Sequence, residues 1–174
     1  MIMRKELWFI IGIIGFIFLT GCGRQERQTS QKSPTRPIPQ PRENASAVAA
    51  QYVELGKSAL ERGDVQAAIR NFDEAIRRDP RDVNSYIVLG ETYLRLQNYD
   101  KTIDTLSAGL LIDPNHGPGN YMLAVAYNLW GNREKALQHA QKSVQIFQDR
   151  GDREGFRLAF LLLQSLAKTN GQRM

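Results

Sequence analysis

A chain of 174 residues, 42% of them hydrophobic, is long enough for one domain with extensions and can bury a sizeable core. Its formal net charge of +5 is unevenly placed: the segment before Ser46 holds seven Lys and Arg against three Glu, which leaves the remainder at +1. So nearly neutral a remainder excludes the basic footprint of a nucleic-acid binder, and a single cysteine, Cys22, excludes any internal disulfide.

Arg4 and Lys5 precede Leu7 to Leu19, a run of 13 residues without a charged side chain. This predicts a targeting segment over 1–21, because the run falls short of the roughly 20 apolar residues a spanning helix needs. It ends in Leu19-Thr20-Gly21-Cys22, which resembles the lipobox of a bacterial lipoprotein signal peptide. The resemblance implies a diacylglycerol on the Cys22 sulfur, cleavage just before it and acylation of the new amine. A thiol is nucleophilic enough to form that thioether readily. The alternative is a stray thiol beside an uncleaved signal anchor, and either places the rest of the chain outside the cytoplasm on a membrane. Two or three acyl chains hold such a protein firmly, where one holds only marginally. Gly23, rather than Asp, follows Cys22, and by family analogy this points to the outer membrane, with the chain facing the periplasm.

Residues 22–45 then read as the lipidated Cys followed by a disordered linker. Pro34, Pro37, Pro39 and Pro41 stand among Gln, Ser, Thr and Arg, with almost nothing apolar to offset the cost of ordering. Such a linker reaches between about 25 Å as a coil and roughly 70 Å as extended polyproline II.

From residue 46 to 150 a 34-residue period takes over. Leu55-Gly56, Leu89-Gly90 and Leu123-Ala124 keep that spacing, as do Gly63, Gln97 and Gly131, and Ala68, Thr102 and Ala136; Asp79-Pro80 recurs as Asp113-Pro114. Each unit has room for two helices and a turn, and small residues at Gly56, Ala68 and Ala75 let their backbones approach. The helices are predicted at 47–62 and 65–78, 83–96 and 99–112, and 118–130 and 133–149. Tyr52, Leu55, Gly56, Ala68, Phe72, Ala75 and Pro80 carry the resemblance to the tetratricopeptide repeat (TPR), in units 49–82, 83–116 and 117–150. The first unit departs at Ala59, and the signature thins at Thr102, Leu106 and Gly109, then at Asn120, Ala140 and Gln148. The resemblance implies an all-α fold, a right-handed superhelical stack of three helix pairs plus a C-terminal capping helix.

That last helix is predicted at 152–168, within a terminal segment 151–174, and is off the 34-residue spacing. Phe156, Ala159, Phe160, Leu163, Leu166 and Ala167 form one apolar stripe, which should cover the third pair. Leu158, Leu161 and Leu162 form a second, read either as further core or as an interface for a partner or a second copy.

In this family ligands lie on the concave groove lined by each unit's first helix. Stepping about 100° around from the core stripe selects Val53, Lys57 and Leu60, then Ile87, Glu91 and Leu94, then Tyr121, Val125 and Asn128, with Arg95 added. Family modules that clamp the C-terminal carboxylate of chaperones need Lys, Asn and Arg here, which Val53, Ile87, Glu91, Tyr121 and Val125 do not supply. An apolar helix or extended segment is expected instead. Catalysis finds no support: His116 and His139 have no metal-ligand spacing around them, Gly117-Pro118-Gly119 is no phosphate loop, and no cofactor or metal is expected. The reading is a lipid-anchored, non-enzymatic scaffold or adaptor for protein partners of a bacterial envelope. Similar TPR lipoproteins assemble envelope machines such as the type IV pilus and its secretin. The alternatives are an adaptor for an envelope protease or cell-wall enzyme, and a self-associating structural lipoprotein.

Overall fold

In a computed structural model of the chain, residues 41–168 are described. The targeting segment, Cys22, most of the linker and residues 169–174 lie outside them. Among the described residues there are seven helices and no strand: α1 (Pro41–Glu61), α2 (Val65–Arg78), α3 (Val83–Arg95), α4 (Tyr99–Ile112), α5 (Gly117–Trp130), α6 (Arg133–Asp149) and α7 (Arg153–Lys168). None is long and apolar enough to cross a membrane. The predicted boundaries agree to within a residue except at α1, which starts six residues early, inside the segment read as linker. Ala45, Ala47, Ala49 and Ala50 are strong helix formers, and a proline at the first position loses no intrahelical bond.

The turns repeat because their chemistry repeats. Asp64, Asn98 and Asn132, 34 apart, cap α2, α4 and α6 by accepting from the backbone N–H of Ala67, Lys101 and Lys135. One residue earlier, Gly63, Gln97 and Gly131 all have positive φ. Asp79 and Asp113 end α2 and α4 in extended backbone, and their side chains accept from Arg81 N–H and Asn115 N–H ahead of the next helix. At the third such position stand Phe147 and Gln148 instead of Asp-Pro. No breaker stops α6, which runs 17 residues against 14 for α2 and α4.

Each helix packs on its partner and on the next pair. The contact within a pair is governed by size. A Cβ on Gly56 would stand 2.3 Å from the Phe72 ring, and one on Gly90 would stand 2.5 Å from Leu106. At the same two places the third pair has Ala124 and Ala140, so the shrinking residue on the second helix matches the growing one on the first. All of Phe72, Leu106 and Ala140 are fully buried. Lys101 lies over the Tyr93 ring and Lys135 over Tyr127 at the same offset; the first pair, with Ala59 and Ala67 there, lacks both members of that contact.

Among the described residues the stack is open at its first end and covered at its last. Leu89 and Leu123 are 3% and 1% exposed, whereas their equivalent Leu55, with no described pair before it, is 54% exposed. At the other end α7 packs on α5 and α6 as α3 packs on α1 and α2. It therefore takes the place of the first helix of a fourth pair, displaced by two residues because α6 is long. Ala159 and Leu166 are its buried contacts; of the second apolar stripe Leu158 and Leu161 are exposed, whereas Leu162 is half-buried against the core.

Candidate protein-binding groove

The predicted groove residues divide. Val53 and Ile87 are 2% and 7% exposed and belong to the two core clusters, which corrects their assignment as ligand-facing. The step of 100° around the helix placed them too near the seam between neighbouring first helices: Ile87 reaches α5, where a Cβ on Gly119 would meet its Cδ1. Leu60 is half-buried and packs against the first cluster. Lys57 and Arg95 are exposed, and each is paired on its own helix, with Glu54 at 2.7 Å and Glu91 at 2.7 Å. Such exposed pairs contribute little to stability, about 0.3–0.5 kcal/mol, and they leave this part of the face polar but locally neutral. Leu94, Tyr121 and Val125 are half-buried, and Asn128 is exposed.

Including α7 in the register changes the site. Asp152 accepts from Gly155 N–H at the start of α7 as His116 accepts from Gly119 N–H at the start of α5, which fixes an offset of 36 between the two helices. Two rows of equivalent positions then run along the four first-type helices. One reads Glu54, Val88, Met122, Leu158; the other reads Lys57, Glu91, Val125, Leu161. Both pass from charged at α1 to aliphatic at α5 and α7. Leu158 and Leu161, predicted with Leu162 as a separate interface, continue these two rows onto α7, and they are 42% and 51% exposed. The selection made from sequence omitted Met122. The offset that aligns Met122 with Leu158 rests on the capping contacts of His116 and Asp152, which only the structure supplies.

The two histidines have structural surroundings. His116 caps α5 through Nδ1, 3.1 Å from Gly119 N. Burial lowers its pKa, an effect Asp113 opposes and Arg150 reinforces. His139 stacks on Tyr127, with Nδ1 3.1 Å from Oδ1 of the buried Asn120. Because Asn120 Nδ2 donates to the carbonyls of Pro114 and His116, its Oδ1 faces the imidazole, and His139 Nδ1 must carry the hydrogen. Burial, then Lys142 and Lys135, lower the His139 pKa. Among the described residues no group of three or more His, Cys, Asp or Glu is placed to hold a metal ion.

A family model described as a tetratricopeptide repeat matches residues 53–116. Protein bimA of Emericella nidulans is 27% identical over 92 residues, which span 53% of this chain and 11% of that protein. Among solved structures, the type III secretion translocator chaperone SycD of Yersinia enterocolitica superimposes with a TM-score of 0.68 at 16% identity, covering 72% of this chain and 88% of that one. PcrH, solved in complex with the chaperone binding region of PopD, gives 0.66 at 18% identity over 70% of this chain and 92% of its own. At these identities the structural likeness concerns the fold.

Proposed function

We propose that this chain, which has the superhelical tetratricopeptide-repeat fold of three helix pairs and a capping helix, is a membrane-tethered adaptor that holds an apolar protein segment at the α5–α7 end of its concave face. The observation that carries the reading is the passage of both groove rows from Glu54 and Lys57 to Leu158 and Leu161. Leu158 and Leu161, left in water beside the half-buried Met122 and Val125, favour a ligand that covers them, worth about 25 cal/mol per Å² of apolar surface covered. PcrH, a protein of similar fold, is seen with a segment of another protein, which agrees with a protein ligand here. His116 serves as a helix cap and His139 is stacked on Tyr127, and the role proposed is non-enzymatic.

The tether is the lipid on Cys22, and the setting is a bacterial envelope, with the repeats held off the outer membrane in the periplasm and serving assembly of an envelope machine such as a pilus and its secretin. Support comes from the order of Arg4-Lys5, the apolar run, Leu19-Thr20-Gly21-Cys22 and the proline-rich stretch. Crosslinking the full-length protein in native membranes, followed by mass spectrometry of the captured species, tests the whole reading. An envelope assembly subunit is the expected catch, and Cys22→Ser is expected to leave an uncleaved or soluble form. Capture of cytoplasmic proteins only, or a cleaved Cys22→Ser form still in the lipid fraction, would refute the placement.

A further inference from the structure

In each of the three pairs one face of the first helix is covered by the second helix. That face carries Tyr52, Gly56 and Ala59 in α1, Tyr86, Gly90 and Tyr93 in α3, and Asn120, Ala124 and Tyr127 in α5. In α7 the equivalent positions, 36 after those of α5, are Phe156, Phe160 and Leu163, with Ala167 a further turn on. No described helix covers this face as a second helix would, although Leu163 is half-buried against the core and Phe156 is half-buried beside Phe147 of α6. Phe160 is 40% exposed, Ala167 is exposed, and Phe156 stacks on Phe160 with ring centroids 5.7 Å apart. Phe160 also stands where Gly56 and Gly90 leave room, and there even an added Cβ would collide with the neighbouring helix. A helix approaching as α2 approaches α1 is thereby shut out, and whatever covers this face must sit differently.

We infer that the cover is α7 of a second copy, laid antiparallel across Phe156, Phe160, Leu163 and Ala167. The spacing along this stripe is four, three and four residues, which reads the same in both directions. A two-fold axis therefore sets Phe156 of each copy against Ala167 of the other and Phe160 against Leu163, with large side chains facing smaller ones and no polar residue in the seam. In this arrangement Lys168 of one copy comes beside Asp152 and Glu154 of the other, at an end where Glu154 is already paired with Arg157 of its own helix. A recess of about 250 Å³ lies at that end, lined by Phe147, Gln148, Gly151, Asp152, Arg153 and Phe156, and it receives the last turn of the neighbouring α7. Leu158 and Leu161 lie on another side of the helix, so pairing leaves both grooves open, and the inference stands independently of what the groove binds.

The test uses the full-length chain in membranes. Two differently tagged copies carry Glu154→Cys and Lys168→Cys, at exposed positions that do not enter the core, and a short bis-maleimide is added. The wild-type chain, whose one thiol is Cys22, sets the background. A product of doubled mass bearing both tags is expected, with none above background when both copies carry Glu154→Cys, since antiparallel pairing puts those positions about 20 Å apart. Phe160→Glu, and independently Ala167→Glu at an exposed site, are expected to abolish the product. Absence of the mixed product, crosslinking of the two 154 positions as readily as the mixed pair, or an adduct with a different protein in its place would overturn the inference.

Discussion

His116 holds the start of α5 only while Nδ1 is free to accept from Gly119 N–H, and its equivalent in the preceding repeat is Asp82, which caps α3 through its carboxylate oxygens. Protonation of His116 removes the acceptor and places a cation at a helix N-terminus, where the dipole opposes it. Burial of His116 and His139 acts in the same direction, lowering both pKa values below 6.5. For a base whose folded pKa is depressed, the stabilisation is complete above the unfolded value, about 6.5, and is lost as pH falls from there through the lowered folded values. The melting temperature is therefore expected to drop between pH 7.5 and pH 5. His116→Asn, which keeps a capping oxygen, is expected to flatten that slope without lowering stability at pH 7.5; thermal melts followed by circular dichroism across the range check both. The histidine's position in a turn was legible from the sequence, but its capping role was not, because His is not among the residues that usually cap.

Among the elements, the pairing of first and second helices shows how far periodicity alone reaches. The alternation of Gly56, Gly90 and Ala124 predicted close approach, and the structure adds the compensating series Phe72, Leu106 and Ala140. Gly90→Ala is expected to cost roughly 1–3 kcal/mol by overpacking against Leu106. Leu106→Ala alone should cost about 2–5 kcal/mol through the cavity it opens. The double substitution reproduces the third pair's Ala124 with Ala140, and its cost is expected to fall short of the sum of the two; denaturant titrations of the four proteins measure that coupling. The early start of α1 escaped the sequence because the prolines and polar residues before Ala45 outweighed the alanines that follow. The place of α7 escaped it because the loss of Asp-Pro at Phe147-Gln148 lengthened α6 and broke the register by two residues.

At the scale of the whole molecule, the three pairs and the covering helix were all legible, since their signals recur and each copy corroborates the others. The groove was legible only in part. Sequence spacing finds which residues share a side of one helix, but whether Val53 or Ile87 is reached by solvent depends on how close the neighbouring first helix lies, and that is set by packing across pairs. The proposed groove therefore runs over four helices instead of three, polar at α1 and aliphatic at α5 and α7. Its apolar end should therefore carry the binding. The direct measurement places a photo-crosslinking residue in the full-length chain at Val125, at Leu161 or at Lys57, and compares what each captures in native membranes. The same partner is expected at Val125 and Leu161, with little at Lys57. Capture from Lys57 alone, or equal capture from all three positions, would contradict a site built on the aliphatic end of the groove.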